Sequence, residues 1–178
     1  MAVWSDISFD DDLDMDYEEP DLDDFFELES GLDDDSSDEP ESNSNVQCAQ
    51  LYLSALGYKV GAKERYGIMN NETRQSLIKY LQFQLGYYGA GCAITGEFDS
   101  DTLAKMRRFL PLAQKTPRTY LVKAIQLAVL CAGYSINNDN AINGIYSPEL
   151  AQAVSLFQLD NDIPETGKID SETFIALF

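Results

Sequence analysis

Two eight-residue segments of this 178-residue chain follow the same pattern. Residues 95–102 read Thr-Gly-Glu-Phe-Asp-Ser-Asp-Thr, and residues 166–173 read Thr-Gly-Lys-Ile-Asp-Ser-Glu-Thr. Each segment combines a Thr-Gly turn, whose glycine can adopt a positive φ, with an Asp that can cap the helix after it. A turn and helix start that recur in this way indicate a duplicated structural unit.

The segments that precede these two turns also correspond to each other. Residues 46–58 and 122–134 each carry apolar residues at helical spacing, a glutamine at the same position (Gln50, Gln126) and a closing Gly-Tyr. A Gly-Ile pair then precedes a second helix in both copies. Because a unit of roughly 60 residues has a small core, we expect the two copies to pack against each other.

The predicted fold class is therefore mainly all-α, with two tandem three-helix modules preceded by an acidic tail that we expect to be disordered. Pro111 and Pro117 mark turns between the modules. The predicted boundaries are a tail and linker over residues 1–45, a first module over 46–110, a join over 111–118 and a second module over 119–178.

The net charge of −19 comes from the N-terminal tail. Residues 1–45 hold thirteen Asp, six Glu and no Lys or Arg, which leaves 12 acidic against 12 basic residues in the remainder. Such a tail repels itself and buries too little apolar surface to offset its chain entropy. Because the remainder is neutral, we do not expect nucleic acid as a partner.

The tail also carries large apolar residues between its acidic blocks, among them Trp4, Phe9, Phe25 and Phe26. Acidic segments with interleaved aromatic residues can fold on a basic partner with an apolar groove. We therefore interpret the tail as a docking element for an unidentified protein partner. A solvating tail with incidental aromatic residues is one alternative. Mimicry of DNA phosphates is another, which the clustering of the charges disfavours.

The sequence lacks the residues of several catalytic sites. It contains no His, which excludes Ser-His-Asp and Cys-His nucleophilic sites and His-based zinc hydrolase sites. Its carboxylates outside the tail lie mostly at expected helix starts, where capping explains them. Cys48, Cys92 and Cys131 have no C-x-x-C spacing, and nothing in the sequence supports a disulfide between any of them. We therefore predict a non-catalytic protein with no metal and no cofactor.

A string of residues in the second copy is typical of one known family. It comprises residues 122–126, 132–134, 143–148, 153–154, 157–158 and 166–173, which together span nearly the whole copy. Through these residues the second copy resembles the type 1 peptidoglycan-binding domain, a three-helix module of bacterial and phage cell-wall proteins. The first copy resembles the family more loosely and has a longer loop before its Thr-Gly turn.

The resemblance implies a position for the wall-binding surface. In the family this surface is thought to involve the loop before the second helix and the start of that helix. The matching positions are Asn143, Tyr146 and Ser147 in the second copy, and Tyr66, Met69 and Asn70 in the first. We expect Tyr58 and Tyr134 to pack beneath the loops instead.

The resulting hypothesis is that the chain is a non-catalytic protein that binds peptidoglycan. Its tail would attach it to a larger assembly, such as a phage virion or a tail-like particle. One alternative is a protein–protein interaction module that reuses the wall-binding fold. The other is a targeting subunit for a separate cell-wall hydrolase.

The hypothesis also carries expectations about location. The apolar runs are too short to span a bilayer, so we expect no membrane partner. Asp6 and Asp10 fall where the apolar core of a secretory signal would lie, so no such signal is expected. The chain would then reach the wall through a particle or through lysis, and would otherwise stay in the cytoplasm.

Overall fold

The structure is a computed structural model that describes residues 41–178, so the predictions for Trp4, Phe9, Phe25 and Phe26 lie outside the described residues. A short 3₁₀ helix, Lys63–Arg65, lies between the first two α-helices. The prediction of a mainly helical fold is confirmed for the described part of the chain. Its α-helices are α1 (Ser44–Ala55), α2 (Asn71–Tyr87), α3 (Ser100–Met106), α4 (Thr119–Cys131), α5 (Pro148–Asp160) and α6 (Ser171–Leu177).

The third helix of each module begins at the aspartate that the repeated segment predicts. Asp99 Oδ1 accepts a hydrogen bond from the Thr102 amide at 2.7 Å. Asp170 Oδ1 accepts the equivalent bond from the Thr173 amide at 2.9 Å. These bonds satisfy amides that have no partner within the helix, so the two Thr-Gly segments start α3 and α6 in the same way.

Helix α1 begins before the predicted start of the first module. The predicted boundary was residue 46, but α1 starts at Ser44 and Asn43 is its N-cap. The Asn43 side chain accepts from the Asn45 amide at 2.8 Å, and Asn45 Nδ2 donates to the Gly133 carbonyl at 2.9 Å. These asparagines lie in a Ser/Asn-rich run that resembles a linker, although Asn is also among the best N-cap residues.

Helix α4 is the centre of the core. Every residue from Leu121 to Cys131 on it is buried, and it packs against α1 and α2 of the first module and against α5 of its own. A helix that is buried on all its faces is surrounded by other elements, even though it carries the polar Lys123 and Gln126. The two modules therefore share one core, as their small size predicted. Within residues 41–178, no helix is both long and apolar enough to cross a membrane.

A second contact joins the modules through their Thr-Gly segments. The Phe98 ring lies 5.6 Å from the Phe174 ring and 6.0 Å from the Phe178 ring, measured between centroids. Leu112, which follows the first module, forms an isolated antiparallel bridge with Ile169. Both repeated segments thus supply an apolar residue, Phe98 or Ile169, to the contact between the modules.

Candidate functional site

A buried glutamine holds the loop before the second helix of the second module. Gln126 is 1% exposed, and its Oε1 accepts from the Gly144 amide at 2.8 Å. Its Nε2 donates to Asn143 Oδ1 at 3.0 Å and to the Ile145 carbonyl at 3.2 Å. Because a buried amide is costly to leave unpaired, these bonds fix the backbone of the loop.

The first module repeats this arrangement. Gln50 is fully buried, and its Oε1 accepts from the Gly67 amide at 2.7 Å. Its Nε2 donates to the Ile68 carbonyl and to Thr73 Oγ1, each at 3.0 Å. Gln50 and Gln126, which occupy equivalent positions in the sequence, therefore also play the same structural role: each holds the loop before the second helix of its module.

Each of these loops lies directly against the start of the first helix of its module. Gly144 has a φ of +75°, and a Cβ at this position would lie 2.3 Å from Thr119 Cγ2. Gly67 has a φ of +92°, and a Cβ there would lie 2.8 Å from Ser42 Cβ. Glycine is required at both positions, because the backbone is left-handed and leaves no room for a side chain.

A second pair of buried glutamines holds the two Thr-Gly turns. Gln158 Oε1 accepts from the amides of Thr166 and Gly167, each at 2.9 Å. Its Nε2 donates to the Lys168 carbonyl at 2.9 Å and to Thr173 Oγ1 at 2.8 Å. Gln82 makes the equivalent bonds in the first module. Each module therefore has two buried glutamines that hold its loops through hydrogen bonds, and we call each such set of bonds a glutamine frame.

The structure corrects the prediction that Tyr146 contacts a wall polymer. Its side chain is 3% exposed, and its hydroxyl donates to the Gly167 carbonyl at 3.1 Å. Burial raises the pKa of the Tyr146 phenol well above its usual value. The aromatic ring that the family resemblance placed at the wall-facing loop therefore links that loop to the Thr-Gly turn inside the core.

We expect Tyr146→Phe to leave any ligand binding unchanged and to lower the free energy of unfolding by about 1–2 kcal/mol, because it leaves the buried Gly167 carbonyl without this donor. Chemical denaturation of both proteins measures the difference. Tyr66→Phe is a suitable control, because the Tyr66 hydroxyl makes only an exposed bond to Ser54 Oγ at 3.4 Å. An equal loss in the two variants would contradict the structural role of Tyr146.

Two other predicted site residues serve as helix caps. Ser147 Oγ accepts from the Leu150 amide at 3.3 Å and begins α5, with Pro148 at the first position of that helix. Asn70 Oδ1 accepts from the Thr73 amide at 2.9 Å and begins α2. Both side chains are half-buried, so their main interactions are with the backbone of their own module.

The loop around Asn143 is the more open part of the predicted site. Asn143 is half-buried, and its Oδ1 also accepts from the Ile145 amide at 2.8 Å. Its Nδ2 makes no hydrogen bond to another described residue. The neighbouring Ile145 is 62% exposed, the highest value among the large apolar residues of residues 41–178. An exposed apolar side chain beside a free amide donor suits a ligand with both apolar and polar faces.

In the first module, Tyr66 and Met69 remain accessible. Tyr66 is half-buried, and Met69 is 40% exposed. Met69 lines a small cleft of about 80 Å³ that also touches Ala132 after α4 and Phe178 after α6. The equivalent of Met69 in the second module is the buried Tyr146, so the two loops present different surfaces.

The two loops do not form one continuous site. The first contacts the start of α1, where the Asn43 amide donates to the Gly67 carbonyl at 2.9 Å. The start of α1 lies beside the end of α4, through the bond from Asn45 to Gly133. The second loop contacts Thr119 at the start of α4. The loops are therefore separated by about 20 Å, the length of a 13-residue helix.

A polar crevice in the first module was not predicted from the sequence. It has a volume of about 230 Å³, and Lys59, Glu72 and Lys79 are among its lining residues. These residues come from the turn after α1 and from one face of α2. Only the packing of α1 on α2 brings them together, so no local sequence pattern could have indicated the crevice.

Tyr58 and Tyr134 are half-buried, and each packs against an aromatic ring on the second helix of its module. The Tyr58 ring lies 6.1 Å from the Tyr80 ring, and the Tyr134 ring lies 5.5 Å from the Phe157 ring. The Tyr134 hydroxyl donates to Asp160 Oδ2 at 2.8 Å. Desolvation, with this bond to a carboxylate, raises the pKa of Tyr134 to about 12.

The three cysteines are free thiols in the structure. Cys131 is buried on α4, and burial raises its pKa to about 12. Burial also raises the pKa of the half-buried Cys48 thiol. Thiols held in the neutral form are poor nucleophiles, so these two residues act as small apolar side chains of the core.

Comparison with known proteins gives one match. The curated proteins and the solved structures contain no match. The family model described as a peptidoglycan binding domain matches residues 118–177, a range that includes all of α4, α5 and α6. The match covers the second module and no part of the first. By this match the second module is similar to peptidoglycan-binding domains along its full length, as its residue pattern indicated.

Proposed function

We propose that the protein is a non-catalytic peptidoglycan-binding protein. The family match over residues 118–177 is the observation that carries this proposal. The buried frames of Gln126 and Gln158 add to it, because they hold the loop before α5 in a fixed shape. A loop fixed before binding loses little conformational entropy when it contacts a rigid polymer.

We assign the principal contact in the second module to Asn143 and Ile145. Ile145 offers an exposed apolar side chain, and Asn143 Nδ2 offers a donor to an amide or sugar oxygen. The crevice of the first module provides a second contact of different chemistry. Lys59 and Lys79 on its walls can attract the carboxylates of the peptide stems.

The proposal that the protein is non-catalytic is supported by its helix-start carboxylates. A glycosidase needs a carboxylic acid whose pKa is raised, so that it can donate a proton. Asp99 shows the opposite shift, since hydrogen bonds from the amide and side chain of Thr102 lower its pKa. A hydrogen bond from Ser147 likewise lowers the pKa of Glu149. Asp99 caps α3 and Glu149 lies in the first turn of α5, and neither group is suited to acid catalysis.

We further propose that residues 1–40 attach the protein to a larger assembly such as a phage or tail-like particle. The support for this is the tail sequence alone, with its acidic blocks and interleaved aromatic residues. Purification of the full chain from its source, followed by identification of what the tail retains, tests this step.

Wall binding can be tested by sedimentation with purified insoluble peptidoglycan. A chain that begins at Glu41 keeps the Asn43 cap and all the α-helices of the described chain. We expect this chain to sediment with the wall and Ile145→Asp to weaken its binding by about tenfold, equal to about 1.4 kcal/mol. The cause is the loss of an apolar contact and the burial of a charge.

Leu159→Asp is a matched control for Ile145→Asp. Leu159 is a similarly exposed apolar residue, at 54% against 62%, but it lies near the far end of α5. The Leu159→Asp substitution should leave sedimentation unchanged. If both substitutions weaken wall binding equally, Ile145 is not part of the binding site. Failure of residues 41–178 to sediment at all would favour an interaction module that reuses the fold.

A further inference from the structure

The first module contains a longer connection than the second between its second helix and its Thr-Gly turn. The bond from the Thr95 amide to Gln82 spans 13 residues, whereas the bond from the Thr166 amide to Gln158 spans 8. Helix α2 is also longer, with 17 residues against 13 in α5. Because the second module forms the same glutamine frame without the additional residues, the frame does not require them.

The end of α2 carries a group of aromatic rings. The Tyr87 ring centroid lies 5.2 Å from that of Tyr88 and 5.0 Å from that of Tyr120. The Tyr88 and Phe109 centroids are 6.1 Å apart. Phe83 lies one turn before Tyr87 on the same side of α2, and these two residues are 42% and 40% exposed. We call these five side chains the aromatic platform.

Gly86 leaves an opening between the two exposed rings of the platform. It lies three residues after Phe83 and next to Tyr87, so it faces the same side of α2. A Cβ at Gly86 would meet no atom of the described chain within 4 Å, and its backbone is helical. Glycine destabilises a helix relative to alanine, and neither packing nor a turn requires it here. A ligand that approaches the helix closely at this point would explain it.

Cations without an opposite charge lie beside the platform. The Arg118 guanidinium lies 4.9 Å from the Phe109 ring centroid and 5.5 Å from the Tyr88 ring centroid. Arg107 and Arg108, which precede Phe109 directly, are exposed. None of the three arginines forms an ion pair with a residue from 41 to 178. The platform therefore combines aromatic faces with positive charge that an anionic ligand can use.

The platform adjoins the loop of Asn143 and Ile145. Tyr120 begins one residue after Thr119, and a Cβ at Gly144 would lie 2.3 Å from Thr119 Cγ2. The loop and the platform thus meet at the start of α4, where a long polymer can contact both.

We propose that the aromatic platform binds the glycan strands of peptidoglycan, while Arg107, Arg108 and Arg118 hold carboxylates that these strands and their peptides carry. The proposal rests on the proposed wall-binding function and adds a second contact beside Asn143 and Ile145. The apolar C–H faces of the sugars pack on the rings of Phe83 and Tyr87, and the edge of the strand lies over Gly86.

The chemistry of the platform favours a glycan over a nucleic acid. A tyrosine offers an apolar face and a polar edge, which matches a sugar ring with its C–H face and hydroxyl edge. Bases also stack on aromatic rings, but single-stranded nucleic acid requires a positively charged groove along its backbone. Residues 46–178 carry 12 acidic and 12 basic side chains, so this part of the chain has no such excess of charge.

The test is a titration of the full chain with soluble glycan strands, followed by amide chemical shifts in NMR. Strands freed of their peptides by an amidase carry a free carboxylate on every second sugar. We expect the amides of residues 86–90 and 118–121 to shift. Tyr87→Ala should weaken binding by about fivefold, the range that one aromatic contact contributes. Leu159→Ala, which changes an exposed apolar residue of α5, should leave the affinity unchanged.

Gly86→Glu provides a variant that does not depend on removing a packed ring. Its side chain extends into open space, so the fold should be unaffected, but it fills the opening and adds a negative charge. We expect binding of the strands to fall several-fold while the melting temperature does not decrease. An affinity equal to that of the native chain in both Tyr87→Ala and Gly86→Glu would overturn the proposal.

The role of the cations is tested by comparing charged and neutral glycans. The native chain should bind the carboxylate-bearing strands more tightly than neutral N-acetylglucosamine oligomers. The combined substitution Arg107→Gln and Arg108→Gln should remove this preference. Lys63→Gln with Arg65→Gln is the matched control, because it removes the same charge from exposed residues of the 3₁₀ helix. Tighter binding of a single-stranded oligothymidylate than of the glycan would contradict the assignment of the ligand.

The position of the shifts separates this proposal from the proposed function. Shifts confined to residues 143–147 would overturn the platform and leave wall binding through Asn143 and Ile145 intact. Shifts at the platform, together with wall sedimentation that Ile145→Asp does not alter, would support the platform and remove Ile145 from the site. Sedimentation with the wall but no shift with the strands would also overturn the platform, since binding would then involve the peptides alone.

Discussion

Replacing Gln158 by alanine is expected to lower the free energy of unfolding by about 3–5 kcal/mol. The side chain is fully buried and its Oε1 is the acceptor for the amides of Thr166 and Gly167. The substitution leaves the Gly167 amide unpaired and the Thr166 amide with only the Pro164 carbonyl as acceptor. It also removes a donor from the Lys168 carbonyl and creates a cavity. Thermal unfolding followed by circular dichroism measures the loss, and we expect a Tm lower by about 10 °C or more.

Gln152→Ala is the control for this prediction. Gln152 lies on the same helix, but its side chain is exposed. The change should therefore alter stability by less than about 0.5 kcal/mol. A Gln158→Ala protein as stable as Gln152→Ala would show that the Thr-Gly turn does not depend on the glutamine frame.

The four buried glutamines also show which structural features a sequence pattern does not predict. Gln50, Gln126, Gln82 and Gln158 are at most 1% exposed. From the sequence, the first two could be recognised as equivalent, because they recur at the same position. Their burial could not be predicted, since glutamine is mostly exposed in proteins. Only the folded loops show that each glutamine side chain bonds to the backbone of a turn.

The helix caps were predictable for the opposite reason. The side chains of four caps accept from amides three residues further along the chain: Asp99, Asp170, Ser147 and Asn70. An interaction of this range is contained in the local sequence. Asn43 follows the same rule, but the Ser/Asn-rich composition around it indicated a linker. The error in the boundary therefore came from composition and not from the capping pattern.

The candidate site was harder to predict than the fold, because exposure depends on tertiary packing. Tyr146 and Ile145 are neighbours in the sequence, yet one is 3% and the other 62% exposed. The tyrosine points inward because its hydroxyl meets the Gly167 carbonyl of a segment 21 residues away. The separation of the two loops has a similar origin, since it follows from the packing of α1 against α4 in opposite directions.

Gly144→Ala is expected to be among the most destabilising single changes, at about 3–4 kcal/mol. Its Cβ would lie 2.3 Å from Thr119 Cγ2 and 2.9 Å from the Thr119 carbonyl oxygen. The threonine side chain can rotate, but the backbone oxygen cannot move without shifting the start of α4. Denaturant unfolding measures the loss. Because the loop must shift, Ile145 should also move and wall sedimentation should fall.

Gly57→Ala separates the clash from the backbone conformation. Gly57 has a φ of +84°, close to the +75° of Gly144, but a Cβ at Gly57 would have no atom within 4 Å. Its substitution should cost only about 1–2 kcal/mol, the usual penalty for a left-handed alanine. The difference in the free energy of unfolding between the two variants therefore measures the cost of the steric clash between the loop and the start of α4. If both lose the same stability, the close approach to Thr119 does not hold the loop, and the frame of Gln126 alone must position Asn143 and Ile145.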